Sequence, residues 1–198
     1  SLWQNVPTVN GGNYMQLTNS QYLTPHKVIA SLSYRIPYAK NFATSVSLFY
    51  SGYNAGNFSY MYDGDMNQDG INNDLIYIPK SKDELTFIDK NGFTAAQQAE
   101  AFWNYVNQDS YLKNHKGEYA KAYSARYPWV NQVDLKVVQD FIVKAGKTTN
   151  TLQVSLDIFN IGNLLKDTWG ISKVPVNSGR ILKYEGVTAD NVPTYSMY

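Results

Sequence analysis

Four stretches of the chain alternate between apolar residues and small or polar ones with a period of two, the pattern of a half-buried β-strand. They span residues 27–36, 42–51, 129–143 and 151–160. The last stretch alternates most cleanly, with Leu152, Val154, Leu156 and Ile158 on one parity and Gln153, Ser155 and Asp157 on the other. The pattern predicts four strands, each with one apolar face and one polar face.

The connections between these strands differ greatly in length. Short turns at 37–41 and 145–150, rich in turn-forming residues, join the strands into two hairpins. Residues 52–128 separate the hairpins, and a polar segment at 162–198 follows the last strand. Short turns at one end and long loops at the other are typical of outer-membrane barrels, whereas compact sandwiches favour connections of about 4–6 residues. The chain therefore predicts an all-β fold, a segment of an antiparallel transmembrane β-barrel with long extracellular loops.

The first long loop carries a predicted helix near residues 94–113. Thr94 is a plausible N-cap, and an Ala- and Gln-rich run follows it. The apolar residues Ala99, Phe102, Trp103 and Val106 have helical spacing. We expect this apolar face to pack the helix against the loop or the barrel rim, because such faces are usually buried.

Composition removes several classes of protein. The 198 residues have a net charge of +1 and no basic run, which argues against nucleic acid as a partner. The absence of cysteine excludes a disulfide framework and a thiolate zinc site. No apolar run approaches the ~20 residues of a membrane-spanning helix, and the first residues lack the features of a signal peptide. Barrel strands of about 9–11 residues escape this criterion.

A loop of acidic and amide residues resembles a calcium-binding sequence. Six of its residues match ligand positions of an EF-hand loop or lie beside them: Asp65, Asn67, Asp69, Ile71, Asn73 and Asp74. Gly70 occupies the position of the sharp turn, while Ile76 stands where the bidentate acid is expected. The residues predict a weak Ca2+ site. A polar turn held by Asx hydrogen bonds is the alternative.

The sequence offers no catalytic motif. Nucleophile elbow, paired acids and zinc motif are all missing, and His26 and His115 are far apart in turn-like surroundings. Charged residues on the polar parity of two strands are better explained by a water-filled lumen or a plug than by a catalytic cluster: Asp134, Lys136, Asp140 and Asp157. We expect the protein not to be an enzyme.

Three blocks of sequence resemble a known family. They are residues 127–141 (Tyr-Pro-Trp-Val-Asn-Gln-Val-Asp-Leu-Lys, then Gln-Asp-Phe), 157–165 (Asp-Ile-Phe-Asn-Ile-Gly-Asn-Leu-Leu) and 74–79 (Asp-Leu-Ile-Tyr-Ile-Pro). In their order and spacing they resemble the C-terminal barrel region of TonB-dependent outer-membrane receptors. The resemblance is greatest to the Oar-like receptors, which carry a carboxypeptidase-regulatory-like domain at their N-terminus.

The resemblance implies a role in uptake across the outer membrane of a Gram-negative bacterium. Such receptors are 22-stranded barrels closed by a plug, and the TonB complex powers import through an N-terminal box. The expected partners are outer-membrane lipid, the plug and remaining strands of the same receptor, TonB through the N-terminal part, and a surface lipoprotein. We expect residues 1–198 to be an internal piece of such a barrel, near its C-terminus.

A second hypothesis belongs to another class of protein. The tyrosine and tryptophan content, together with the acidic loop, also fits a soluble calcium-containing carbohydrate-binding β-sandwich. A requirement for detergent would distinguish the two hypotheses. The transported substrate does not follow from either.

Overall fold

The computed structural model describes residues 6–14 and 16–197. It is mostly β, with 44% of residues in strands and 16% in helices, and its sheets are largely antiparallel. Twelve strands are described: β1 (Lys27–Tyr38), β2 (Phe42–Asn54), β3 (Asn57–Phe58), β4 (Met61–Asp63), β5 (Tyr77–Ile78), β6 (Thr86–Phe87), β7 (Glu118–Tyr119), β8 (Ala125–Arg126), β9 (Trp129–Ala145), β10 (Thr148–Ile158), β11 (Arg180–Val187) and β12 (Pro193–Met197). The helices are α1 (Ala95–Gln108) and the short α2 (Gly162–Leu165). None of the described helices has the length and apolar character needed to cross a membrane.

The chain divides into two compact units. The first, called here the sheet unit, is made of Thr24–Ala55 and Pro128–Lys173. The second, the loop unit, is made of Ser1–Leu23, Gly56–Tyr127 and Val174–Tyr198.

The sheet unit is one antiparallel sheet of four long strands, in the order β1-β2-β9-β10. The two predicted hairpins are present, and β2 pairs with β9 along its whole length although 74 residues separate them in sequence. The first three strands run two or three residues past their predicted ends, and β10 begins and ends earlier than the predicted 151–160. The antiparallel β character predicted from the alternation is confirmed.

Register across this sheet places like residues side by side. Leu32, Leu48, Leu135 and Ile158 form one continuous row over the four strands. Tyr34, Val46, Val137 and Leu156 form the next row on the same face. Because the strand period is two, the pairing that aligns these rows also collects the polar residues on the opposite face.

The loop unit has its own small sheet, in the order β4-β11-β12-β6. Its central pair, β11 and β12, is antiparallel, while β4 and β6 join the two sides in parallel. Segments 52–128 and 162–198, expected as long loops, therefore contribute strands to a folded unit. Two short antiparallel pairs, β3 with β8 and β5 with β7, complete its described strands.

Helix α1 begins where the sequence predicts and ends five residues earlier than the predicted residue 113. Thr94 forms a capping box with Gln97, because its side chain accepts from the Gln97 N–H and the Gln97 side chain accepts from the Thr94 N–H. At the other end Asp109 stops the helix and accepts hydrogen bonds from the next turn. Phe102 and Val106 are fully buried, while Ala99 and Trp103 pack against the core more loosely.

The core of the loop unit combines aromatic and aliphatic side chains. Tyr60, Ile76, Leu112 and Leu182 are also buried in it, with at most 1% of each residue exposed. Tyr60 contacts Phe58 edge to face, with ring centroids 5.0 Å apart, and Phe102 lies 5.9 Å from Phe87. The tyrosine richness of the sequence is thus used in packing.

Candidate functional site

The sheet unit presents one broad apolar face that nothing in the unit covers. Leu32, Leu152, Val154 and Leu156 are each more than half exposed, against the usual burial of such residues. All four lie on the same face of the sheet, and Leu32 and Leu156 are members of the two rows described above. An exposed apolar surface this large marks a contact with lipid or with another protein.

Charge separates the two faces of the sheet completely. Every charged residue of the four strands lies on the face opposite the aliphatic rows: Lys27, Arg35, Asp134, Lys136, Asp140, Lys144 and Asp157. Within those strands the apolar face has no charged residue. A solvent-exposed sheet has no reason to keep one face free of charge, so this face is built for an apolar environment.

The polar face holds a connected set of side chains. Arg35 donates to Asp140 at 2.7 Å, and Gln153 donates to the other oxygen of the same carboxylate at 2.8 Å. Lys136 pairs with Asp157 at 3.1 Å. The sequence had pointed to Asp134, Lys136, Asp140 and Asp157 but had not identified Arg35 as a partner. Arg35 lies on the polar parity of β1, which was the available signal for this role. Its contact with Asp140 also requires the pairing of β2 with β9, which brings the two strands into one sheet.

Aromatic residues stand at both ends of the apolar face. At one end Tyr38 and Phe141 flank Phe42, with ring centroids 6.1 and 5.7 Å away. At the other end the Tyr50 hydroxyl and the Trp129 indole N–H both donate to Asn131 Oδ1, at 2.8 and 3.1 Å.

Two amides of β9, Asn131 and Gln139, break the apolar pattern of this face, and both have hydrogen-bond partners. Asn131 is held by the aromatic pair just described. Gln139 accepts from the Tyr38 and Thr44 hydroxyls, each at 2.7 Å. Each amide lies close to an aromatic end of the face rather than at its middle, where an unsatisfied polar group would cost the most in lipid.

The acidic loop of the loop unit brings together only part of the predicted ligand set. Asp65 accepts from the N–H groups of Asp69 and Gly70, and Asp69 in turn accepts from Ile71 N–H. The Asn67 side chain accepts from Asp69 N–H at 2.9 Å. These are the Asx hydrogen bonds of a polar turn.

The remaining predicted ligands lie elsewhere around the loop. Asn73 donates its side-chain N–H to the Val6 carbonyl, and the Ile71 carbonyl accepts from Asn73 N–H. Asp74 is buried and accepts from the N–H groups of Met66 and Asn67. In the described part of the chain no three acidic or histidine side chains come together as a metal group.

Comparison with known proteins does not identify a function for the apolar face or for the acidic loop. No family model, curated protein or solved structure matches this chain. The resemblance to TonB-dependent receptors and the calcium site both stay predictions.

Calcium binding by the acidic loop has a direct test. If Ca2+ neutralises Asp65, Asp69 and Asp74, millimolar calcium should protect segment 64–73 of the full-length protein from protease. Asp69→Ala should abolish this protection, while the folding of the sheet unit should be unchanged. We expect an affinity of about 10⁻⁴–10⁻³ M, because the twelfth ligand is missing. Identical cleavage rates with calcium and with chelator would identify the loop as a polar turn alone.

Asp74 gives the loop unit a pH dependence of known sign. Burial raises the pKa of its carboxyl above the usual value, and the two N–H donors only partly offset this. The folded state therefore binds a proton more tightly than the unfolded state, so this group adds stability as the pH falls through its raised pKa. The free energy of unfolding of the wild type minus that of Asp74→Asn should increase from pH 7 to about pH 4. A difference that is constant over this interval, measured by urea denaturation, would contradict the assignment.

Proposed function

We propose that this chain is part of the wall and extracellular loops of an outer-membrane receptor for TonB-energised nutrient uptake. One observation carries the proposal: an exposed apolar face without charges, bounded by aromatic residues at both ends, opposite a face that holds every charge of the sheet. The wall of a membrane barrel has this arrangement, with an apolar outer band between two aromatic girdles and a polar interior.

The dimensions of the face support this interpretation. Trp129 and Phe141 are twelve residues apart on β9, which at about 3.3 Å per residue corresponds to roughly 40 Å along the strand. A strand tilted by about 35–45° would span roughly 30 Å of membrane over that length, close to the ~25 Å band of outer-membrane barrels.

The edges of the sheet support a larger assembly. Among the described strands, β1 pairs only with β2 and β10 only with β9, so each leaves one row of backbone groups without a partner strand. Lipid cannot solvate those groups, and only closure of the sheet with further strands satisfies them. We therefore assign β1 and β10 neighbours in the remaining barrel of the same receptor.

The loop unit fits a role in ligand capture. It has its own core, and its central segment, residues 56–127, is inserted in the chain between the paired strands β2 and β9. Long, folded loops at one end of a barrel are the extracellular ones in this class of protein. No described residue is assigned a catalytic role in this function.

Spin labels on adjacent residues of β2 test the proposal. The 198 residues contain no cysteine, so a single cysteine introduced among them can be labelled selectively. Val46→Cys and Ser47→Cys lie on opposite faces of the same strand, next to each other in sequence. In the full-length protein in bilayers, the label at residue 46 should collide with dissolved oxygen, which concentrates in lipid, and the label at residue 47 with a water-soluble nickel reagent.

Alternation along the strand provides the control. Labels at residues 44, 46 and 48 should share one behaviour and labels at 45 and 47 the other, because strand side chains alternate. Uniform access of the nickel reagent to all five positions would refute the membrane location.

A further inference from the structure

A basic cleft in the loop unit lies beside the C-terminal end of α1. It is shallow and open, with a volume of about 360 Å3. Six residues line it: Ser110, Tyr111, His115, Lys121, Ser124 and Arg126. Three carry basic side chains, three carry hydroxyls, and none is acidic. The sequence had placed His115 only in turn-like surroundings.

One rim of the cleft is fixed to the core by Asp109. One oxygen of this carboxylate accepts from the N–H groups of Tyr111 and Leu112, at 2.9 and 2.8 Å. The other accepts from the hydroxyl of the buried Tyr60 at 2.9 Å. Asp109 keeps its negative charge, but both of its oxygens are occupied by backbone or core donors and it does not line the cleft, so its role is to organise the rim.

The opposite rim depends on a reversal of the chain at Tyr123. This residue has a φ of 51°, a left-handed conformation that is unfavourable for a bulky side chain. Its N–H is held by Ser59 Oγ at 2.8 Å, and the Lys121 N–H by the Tyr111 hydroxyl at 2.8 Å. The reversal places Lys121 and Ser124 on the same side, and strained backbone of this kind concentrates at functional sites.

The basic side chains of the cleft are not neutralised by the protein. Neither Lys121 nor Arg126 takes part in an ion pair of the described residues. Burial and, to a smaller extent, Glu118 raise the pKa of Tyr111, but Glu118 does not line the cleft. Two uncompensated cations in one concave surface attract an anion.

The ring of His115 is held in place over the floor of the cleft. It stacks on Tyr111 with ring centroids 4.3 Å apart, and its Nδ1 lies 2.8 Å from the Tyr111 carbonyl. Since Nδ1–H donates to that carbonyl, Nε2 is the nitrogen available to a ligand.

We propose that this cleft binds a tetrahedral oxyanion, the phosphate or sulfate group of a ligand. The Ser124 hydroxyl already donates to the Ala122 carbonyl at 3.3 Å. A guanidinium, an ammonium and the hydroxyls of Ser110 and Tyr111 still supply more donors than the two oxygens of a planar carboxylate can use. A phosphate monoester presents three oxygens in three directions, which matches donors arriving from two rims. The cleft stands on its own geometry, and its role in cargo capture rests on the proposed receptor function.

Two sources share this chemistry in an outer membrane. One is a soluble cargo that carries a phosphate or sulfate ester, and the other is the phosphorylated head group of a surrounding lipid. Either would place its oxyanion against Arg126 and Lys121, so the experiment needs one arm for each source.

The test is a titration of the full-length protein with inorganic phosphate, in uncharged detergent at constant ionic strength, followed by calorimetry. Arg126→Gln and Lys121→Gln should each weaken phosphate binding at least tenfold. The matched control is Lys113→Gln, which removes the same charge from an exposed residue that does not line the cleft, and it should change binding less than twofold. Acetate should bind much more weakly than phosphate.

Three results would overturn the proposal. They are the absence of phosphate binding at millimolar concentration, equal losses in Lys113→Gln and Arg126→Gln, and acetate binding as tight as phosphate. Unchanged circular dichroism of each variant excludes misfolding as the cause of a loss. The spin labels on β2 distinguish a failure of this proposal from a failure of the receptor proposal. If phosphate does not bind but the labels still alternate, only the oxyanion site is refuted.

The source follows from the same titration in lipid nanodiscs. Free phosphate should bind equally in discs of neutral phosphatidylcholine and in discs that also contain phosphatidic acid if the natural ligand is a soluble cargo. If phosphatidic acid competes with free phosphate, and this competition disappears in Arg126→Gln, the cleft binds a lipid head group. Both results support an oxyanion site and differ only in its ligand.

Discussion

Replacing Phe102 by alanine is expected to destabilise the loop unit by about 3–5 kcal/mol, the usual cost of removing a buried aromatic ring. Only 1% of Phe102 is exposed, and its ring packs against Phe87 on β6. The cavity left behind would lie between α1 and the small sheet, so the surrounding side chains would have to move to fill it. Hydrogen exchange of the α1 amides in the full-length protein measures the loss directly.

Phe93 provides a matched control for this substitution. It is the same residue type, lies just before α1 and is 59% exposed. Phe93→Ala should therefore cost less than about 0.5 kcal/mol, as most surface substitutions do. Amides of β2 and β9 should keep their exchange rates in both variants if the two units fold independently. Equal destabilisation by the two alanine variants would show that α1 is not packed as described.

If the proposed receptor function is correct, an arginine at Leu156 should cost about 2–4 kcal/mol in a folding assay of the full-length protein in lipid. Leu156 belongs to the row next to the middle of the apolar face, in register with Val137. A guanidinium at that depth would either lose its hydration or draw water into the bilayer.

Its neighbours in β10 supply two controls. Ser155→Arg lies on the polar face, close to Asp157, and should cost little. Val154→Arg should give an intermediate loss, because Val154 pairs with Gln139, nearer the aromatic end of the face. The order Leu156, Val154, Ser155 is thus expected for the loss of stability. Equal tolerance at the three positions would remove the lipid-facing assignment.

The strands of the sheet unit could be predicted because each carries its information locally. Ten or more residues of regular alternation define β10 or β1 without reference to any partner. The pairing of β2 with β9 could not be predicted in the same way. It joins residues such as Val46 and Val137 across a long insertion, and alternation alone does not choose a partner.

The strands of the loop unit escaped sequence reasoning for a different reason. Most have two to five residues, too few to establish a period, and β11 has a register shift between Tyr184 and Gly186. The composition around Gly70 predicted a turn. It did not predict that Asp74 is buried and accepts hydrogen bonds from the N–H groups of Met66 and Asn67, because no motif specifies these bonds. The basic cleft was missed because Ser110 and Arg126 come together only when the chain reverses at Tyr123.

The insertion of residues 55–128 between two paired strands has an evolutionary consequence. The chain leaves the sheet at Asn54 and re-enters it at Trp129, and these two residues are direct partners across β2 and β9. The two junctions are therefore one strand spacing apart, about 5 Å, a distance that a turn of a few residues can bridge. Such a site tolerates replacement of its whole insert without disturbing the four-stranded sheet. Because β11 and β12 come from a separate segment and pair with β4 and β6 of the insert, a new specificity would be inherited only when both segments change together.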